Sequence, residues 1–132
     1  MEHESRLTVR SYECDSYGHV NNAVYLNYLE YARHVYIHDI GIPLVELRAA
    51  GFAILVARVE IDYRRPALTD DELRILTVPI RKGRVGGILS QRIVRCSDDM
   101  LVAEAEVTWV CVDAKGRPAR LPAAFDKEAL SP

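Results

Sequence analysis

The stretch Cys-Asp-Ser-Tyr-Gly-His-Val-Asn-Asn-Ala-Val-Tyr, residues 14–25, decides the fold that this sequence predicts. It places an acid, a glycine, a histidine and two asparagines directly before an apolar run that predicts a helix from Asn22 to about Ile40. Polar side chains at a helix entrance lie beside free backbone N–H groups and the positive end of the dipole, which stabilise negative charge. The pattern therefore predicts an active site at the start of this helix.

The turn before the helix has residues suited to a tight backbone. Gly18 is suited to a left-handed or tight position, and Asn21 or Asn22 is suited to cap the first free N–H groups of the helix. Asp15 on residue type fits two roles, closing an Asx-turn or acting as a carboxylate in catalysis. His19 likewise fits either a contact with the backbone or a role in orienting a substrate or Asp15.

The predicted helix is apolar around most of its circumference, and its polar residues form one narrow stripe: Asn27, Glu30, His34 and His38. We expect other structure to cover most of its surface, with Tyr28, Tyr31 and Tyr36 in the core. On the polar face, we expect Glu30 to pair with Arg33 or His34. His34 and His38 have the spacing of two metal ligands, but the sequence offers no third, so no metal site is predicted.

Alternating apolar residues predict five strands, at Leu7–Glu13, Phe52–Arg65, Leu73–Arg81, Gly87–Cys96 and Met100–Val112. Pro79 requires a bulge or an edge position in its strand. Ile42–Gly51 is expected to form a turn or short helix, and a short helix is expected near Leu121–Phe125. This order predicts an α+β fold, with an antiparallel sheet around one helix in a single domain of residues 1–132.

Composition excludes several classes of function. A hydrophobic fraction of 49% and a charged fraction of 27% are typical of a soluble globular protein. A formal net charge of -2 provides no field to attract nucleic acid, so no nucleic-acid partner is expected. The sequence has neither an uninterrupted apolar run of membrane-spanning length nor a signal-peptide pattern at its start, so we expect a cytoplasmic protein without a membrane partner. Its three cysteines form no disulfide or metal pattern, and Cys96 and Cys111 are expected to be buried.

Asp15, Gly18 and Tyr25, followed by a Glu30–Arg33 pair on the helix, resemble the pattern of the hotdog-fold thioesterases. Among these, the chain is similar to the 4-hydroxybenzoyl-CoA thioesterase-like acyl-CoA thioesterases over nearly its whole length. The resemblance implies a hotdog fold, a five-stranded antiparallel sheet wrapped round one long central helix. It also implies hydrolysis of an acyl-CoA without a cofactor, and a dimer or tetramer with the active site at a subunit boundary.

The same resemblance assigns roles to individual residues. Asp15 would be the catalytic carboxylate, as nucleophile or as general base for water, with His19 and Asn22 beside it and helix N–H groups polarising the carbonyl. Gly18 and Tyr25 would contact the substrate. Residue chemistry gives four basic residues two readings, as a solvated rim or, if the substrate carries coenzyme A, as partners for its phosphates: Arg64, Arg65, Lys82 and Arg84. Asn22 also fits the simpler role of an N-cap, and Tyr25 that of a packing residue.

Three other functions compete with this one. The run from His19 to Asn22 also resembles the acyl-carrier-protein thioesterases, but Tyr17 stands where those enzymes have an asparagine, which favours acyl-CoA. A hotdog hydratase would use Asp15 and His19 as acid and base, but its Asp-x-Asn-Pro-x-His pattern has a proline that this chain lacks. The third alternative is a non-catalytic protein of the same fold that binds acyl groups.

Overall fold

The computed structural model describes residues 2–132, so Met1 lies outside the described part of the predicted domain. Within residues 2–132, five strands form one antiparallel sheet in the order β1-β3-β4-β5-β2, as the sequence predicts. The elements are β1 (His3–Thr8), α1 (Val24–Asp39), α2 (Leu44–Ala49), β2 (Ala53–Tyr63), β3 (Glu72–Lys82), β4 (Gly86–Arg95) and β5 (Leu101–Val112). Neither helix of this described part is long and apolar enough to cross a membrane.

Helix α1 lies on the sheet and contacts β1 and β3. Its buried side chains recur at helical spacing, as expected for one face packed on a sheet: Tyr25, Tyr28, Leu29, Ala32, Tyr36 and Ile37. The opposite face is open, with Leu26 40% and Tyr31 48% exposed. The prediction that the helix is covered around most of its circumference is therefore wrong for this chain, as is the core position of Tyr31. In the described chain the sheet covers one side of α1.

The first strand begins earlier than predicted, at His3, and ends at Thr8. Residues 11–13 instead form a short 3-10 helix, so the predicted strand Leu7–Glu13 is wrong over its second half. The cause is the Glu13 carboxylate, which accepts the Arg10 N–H at 2.7 Å and the Tyr28 hydroxyl at 3.0 Å. These two bonds turn the chain back toward α1 and bring residue 14 to the helix entrance.

Two further predictions are wrong: the short helix near Leu121–Phe125 and the burial of Cys96. The segment from Leu121 forms a turn closed by the Phe125 N–H and the Pro122 carbonyl at 2.8 Å, and the helical residues are the 3-10 segment Glu128–Leu130. Cys96 is half-buried because it lies just beyond β4, whereas Cys111 is fully buried as predicted.

Pro79 confirms the predicted bulge, because the β3–β4 register shifts between Pro79 and Arg81. Pairing of β3 with β1 ends at Thr77, two residues before Pro79. Pro79 has no N–H to donate, and its position beyond the end of β1 costs the sheet no hydrogen bond to that strand.

Strand β2 forms one edge of the sheet and carries exposed apolar side chains. Leu55 and Val56 are 49% and 47% exposed, and a bulge separates Val56 from Arg58. A long apolar edge strand exposes unpaired backbone groups, which proteins ordinarily cover. The subunit boundary expected from the sequence stays a prediction.

Candidate active site

Asp15 is held in a tight turn immediately before α1. Its Oδ1 accepts the N–H groups of Tyr17 at 2.9 Å and His19 at 3.3 Å, and its carbonyl accepts the Gly18 N–H at 3.0 Å. Gly18 has φ of +79°, which other residues adopt at a cost. The Asx-turn therefore exists, but it uses one carboxylate oxygen, and Oδ2 has no hydrogen-bond partner among residues 2–132. One oxygen fixes the carboxylate and the other is available to a substrate or water.

The two asparagines at the helix entrance have different environments. Asn21 accepts the Ala23 N–H on its side-chain Oδ1 at 2.9 Å and the Val24 N–H on its carbonyl at 2.9 Å. The residue directly before α1 is Ala23, so neither asparagine is the N-cap in the strict sense predicted. Asn21 nevertheless stabilises the entrance. Asn22 instead accepts the Tyr63 hydroxyl on its carbonyl at 2.9 Å, which leaves its side chain available.

This difference predicts unequal effects on stability for two alanine substitutions. We expect Asn21→Ala to lower the free energy of unfolding by about 1 kcal/mol, because a backbone N–H at the helix entrance loses its acceptor. We expect Asn22→Ala to change stability by less than about 0.5 kcal/mol, as a surface substitution does. Urea unfolding followed by circular dichroism measures both values. The reverse order would contradict the assignment of the entrance bond to Asn21.

Asp15 opens on a cavity of about 340 Å³, called here the Asp15 cavity. Its walls are Asp15, His19, Val20, Asn22, Tyr25, Tyr63, Arg64, Arg65 and Pro66. The structure thus brings together all three predicted catalytic residues and three of the predicted substrate contacts. Gly18 does not line this cavity and serves the turn instead. An isolated β-bridge between His19 and Leu68 holds this arrangement, with the Val20 N–H donating to the Ala67 carbonyl at 2.9 Å.

Tyr25 is 4% exposed, and its hydroxyl accepts the Ala67 N–H at 3.0 Å. Burial raises the pKa of Tyr25 above its ordinary value. The phenol therefore stays protonated at neutral pH, and its O–H remains a hydrogen-bond donor. Its ring contacts the Tyr63 ring edge-on at 5.4 Å between centroids, so these two side chains form one wall of the cavity.

The two arginines of the Asp15 cavity differ in their partners. Arg64 binds the Glu104 carboxylate at 2.8 Å, and this hydrogen bond raises the pKa of Arg64. The Arg65 side chain has no carboxylate within 4.0 Å among residues 2–132. Arg65 is therefore the cation of this cavity that is free to bind an anionic ligand.

Lys82 and Arg84 lie in a different cavity, of about 520 Å³, which they share with Arg120 and Asp126. Lys82 pairs with Asp126 at 3.1 Å. Lys82 is the last residue of β3, and Glu72, its first residue, lies at the Asp15 end of the sheet. The ten residue steps between them span about 33 Å of strand. Within one chain, the structure does not bring Lys82 and Arg84 to Asp15.

Sequence reasoning missed an apolar groove of about 460 Å³ between α1 and the β2 side of the sheet. Its apolar walls are Ile54, Leu55, Val56, Val59, Leu89 and Trp109, and α1 adds the polar residues Glu30, Arg33 and His34. The groove exists because α1 covers β1 and β3 and leaves β2 open. A sequence signal was present in the consecutive apolar residues 54–56, which cannot all face the core of one sheet.

The chain is similar to known proteins over most of its length. A model of the thioesterase-like superfamily matches residues 9–129. The long-chain acyl-CoA thioesterase FadM of Escherichia coli is 37% identical over 116 residues, which cover 88% of this chain and 87% of FadM. The chloroplastic acyl-acyl carrier protein thioesterase ATL2 of Arabidopsis thaliana is 36% identical over 126 residues, 91% of this chain and 64% of ATL2.

Among solved structures, the 1,4-dihydroxy-2-naphthoyl-CoA thioesterase Slr0204 from Synechocystis superposes with a TM-score of 0.90 at 19% identity. The match covers 98% of this chain and 96% of Slr0204. The fold is thus the hotdog fold predicted from the sequence, that of a class of thioester hydrolases. The chain belongs to the thioesterase-like superfamily.

Proposed function

We propose that this protein is an acyl-CoA thioesterase, which uses water to convert an acyl-CoA to the free acid and coenzyme A. The observation that carries the proposal is the Asp15 carboxylate, fixed through Oδ1 and free at Oδ2, on a cavity at the start of α1. The similarity to FadM supports an acyl-CoA substrate. Thioesters are activated toward attack, so one placed carboxylate and a few hydrogen-bond donors are sufficient machinery.

In this proposal Asp15 acts on the thioester carbonyl in one of two ways. As a base, Oδ2 takes a proton from a water molecule while the water oxygen bonds to the carbonyl carbon. As a nucleophile, Oδ2 itself bonds to that carbon, and water later hydrolyses the resulting anhydride. In both routes the carbon–sulfur bond breaks and the sulfur leaves as a thiolate that takes up a proton.

The developing negative charge on the carbonyl oxygen requires donors. The backbone N–H groups of Asn22 and Tyr25 have no protein acceptor among residues 2–132, and they lie at the positive end of α1. We assign these two groups to the oxyanion. The Asn22 amide and the His19 ring line the same cavity and would orient the thioester or water beside Asp15.

The apolar groove supplies a site for the acyl group. It runs along the same helix from Leu26 to Ile37, directly after Tyr25 of the Asp15 cavity. Burying a methylene group in such a site contributes about 0.8 kcal/mol. A groove with these walls would therefore favour acyl chains long enough to occupy it.

The phosphates of coenzyme A would bind Arg65, the unpaired cation of the Asp15 cavity. We expect Arg65→Gln to raise KM for acyl-CoA about five- to tenfold with little change in kcat, because the contact is equal in ground and transition states. Arg64→Gln is the matched comparison and is expected to have a smaller effect, since Glu104 already pairs with Arg64. Steady-state kinetics at low and high salt measures both. Equal effects for the two variants, or no salt dependence, would contradict a phosphate role for Arg65.

We further propose a dimer in which the β2 edges of two copies pair antiparallel about a twofold axis. Such pairing gives partners to the free backbone groups along the β2 edge and continues the sheet, while the side chains of Leu55 and Val56 stay on its faces. It also places the Ala53 end of a second copy beside the Tyr63 end of the first. Lys82 and Ala53 lie at the same sheet end, so the basic cavity of a second copy would lie four strand spacings, about 19 Å, from the Tyr63 end of β2, which lines the Asp15 cavity. In this dimer the predicted coenzyme A contacts at Lys82 and Arg84 would come from the second copy.

Hydrogen exchange tests this dimer without a substitution. In a lone chain, every second N–H of β2 points away from β5 and would exchange rapidly. We expect these amides to be protected and the outward amides of β1, the other edge, to exchange fast, with sedimentation giving twice the mass of the chain. Rapid exchange at both edges would contradict pairing through β2.

A thiol reagent tests the function as a whole, by detecting free coenzyme A released from acyl-CoAs of increasing chain length. The likeness to ATL2 gives a specific reason to test acyl-acyl carrier protein in parallel. A higher kcat/KM with the carrier protein would change the substrate class to the alternative. Loss of enoyl-CoA absorbance without thiol release would instead indicate a hydratase, and binding without turnover a non-catalytic protein.

A further inference from the structure

Arg33 is fixed by a buried amide that has a single possible orientation. The Gln91 side chain is fully buried, and its Nε2 donates to the Leu29 carbonyl and to the Thr77 hydroxyl, both at 3.1 Å. A carbonyl oxygen can only accept, so the amide nitrogen must face Leu29 and the amide oxygen must face Arg33. That oxygen accepts the Arg33 Nη1–H at 3.0 Å. Arg33 is thus held by one N–H of its guanidinium.

The remaining N–H groups of Arg33 have no anionic partner in the described structure. No carboxylate of residues 2–132 lies within 4.0 Å of its guanidinium, and Glu30, one turn earlier on α1, is not paired with it. Arg33 is half-buried and lines the apolar groove with Leu89 and Trp109. Burial lowers the pKa of Arg33, but an arginine remains charged at neutral pH. A partly desolvated cation with unused donors favours a ligand that brings an acceptor.

The position of Arg33 along α1 places it away from the thioester. It follows Val24, the first residue of the helix, by nine residues, which is about 14 Å of helix. An extended chain advances about 1.2 Å per bond, so roughly twelve bonds separate the helix entrance from Arg33. Any oxygen that Arg33 contacts would therefore lie in the distal part of an acyl group.

We propose that Arg33, positioned by Gln91, selects acyl groups that carry a neutral oxygen, a hydroxyl or a carbonyl, in their distal part. This inference rests on the proposed function of the chain as an acyl-CoA thioesterase. A neutral oxygen is favoured over a distal carboxylate because Glu30 adds a negative charge to the same groove. Arg33 is a specificity residue here and takes no part in breaking the thioester.

The test compares each hydroxyacyl-CoA with the unsubstituted acyl-CoA of the same length, the hydroxyl being moved carbon by carbon along the distal half. For wild-type protein we expect kcat/KM to favour the hydroxylated chain about tenfold at one or two adjacent positions, as a hydrogen bond from a charged donor allows. We expect the preference to fall below about twofold in Arg33→Met. Arg48→Met, which removes an exposed arginine from α2, should keep the full preference.

Arg33→Gln provides a second variant if Arg33→Met fails to fold, because it keeps a polar side chain on α1 toward Gln91 while removing the charge. Titration of the matching free hydroxy and unsubstituted fatty acids gives the same preference as a ratio of dissociation constants, independently of catalysis. Equal wild-type values for both members of each pair, or a preference that survives in the Arg33 variants, would overturn the inference. Absence of thiol release with an intact binding preference would overturn the proposed function instead.

Discussion

Asp15→Asn is expected to lower kcat/KM for acyl-CoA hydrolysis by about two to four orders of magnitude, because an amide can neither take a proton from water nor attack a carbonyl. Substrate binding should change little, so the loss should appear mainly in kcat. The fold should be retained. The Asn Oδ1 can still accept the N–H groups of Tyr17 and His19 that close the turn, so the unfolding midpoint should stay near that of the wild type.

The chain provides a matched control for this substitution. Asp113 closes a turn of the same form, in which its Oδ1 accepts the N–H groups of Lys115 at 2.9 Å and Arg117 at 3.0 Å. Asp113 lies just beyond β5 and does not line the Asp15 cavity. Asp113→Asn should therefore leave kcat/KM unchanged. Equal loss of activity in both variants would show that turn geometry, and not the Asp15 carboxylate, determines the rate.

Val56→Trp is expected to convert the protein into an enzyme for short acyl chains. Val56 lines the apolar groove and is 47% exposed, so a larger side chain can enter the groove without displacing the core. Excluding three or four methylene groups from apolar contact costs about 2.8 kcal/mol, or roughly a hundredfold in kcat/KM for long chains. Chains too short to reach residue 56 should be hydrolysed at near the wild-type rate. Thiol release across a series of chain lengths measures the shift.

Val45→Trp is the corresponding control, since Val45 is 84% exposed on α2 and lies outside the groove. It should leave the chain-length profile unchanged. Val56 also lies on the proposed dimer edge, so sedimentation must show that the Trp variant keeps the wild-type mass. A uniform loss at all chain lengths in a variant of unchanged mass would contradict the groove as the acyl site.

The helix entrance could be predicted from sequence because its signals are local. Asp15, Gly18 and the asparagines act within a few residues of one another, and the structure indeed places Asp15, His19 and Asn22 on one cavity. Their catalytic roles stay predictions. The five strands were predictable for a similar reason, since alternation is a property of each segment. The boundaries of β1 were not, because they depend on Glu13 reaching Tyr28 on another element.

The groove and the pairing of arginines depend on contacts between distant parts of the chain. Nothing near Arg33 indicates that Gln91, 58 residues later, will hold it. The expected pairing of Glu30 with Arg33 or His34 followed from their spacing on one helix. In the structure Arg33 donates instead to the buried Gln91 amide of β4. In the same way, Tyr31 is exposed because it lies on the face of α1 that the sheet does not cover. Such features require the tertiary arrangement.

The rate of coenzyme A release from a long-chain acyl-CoA by the purified wild-type protein tests the central claim most directly. We expect saturable thiol release with kcat/KM of at least about 10⁴ M⁻¹s⁻¹, the lower end of the range for enzymes acting on their own substrates. Release no faster than the spontaneous hydrolysis of the thioester, by protein that is folded and binds the acyl-CoA, would contradict it.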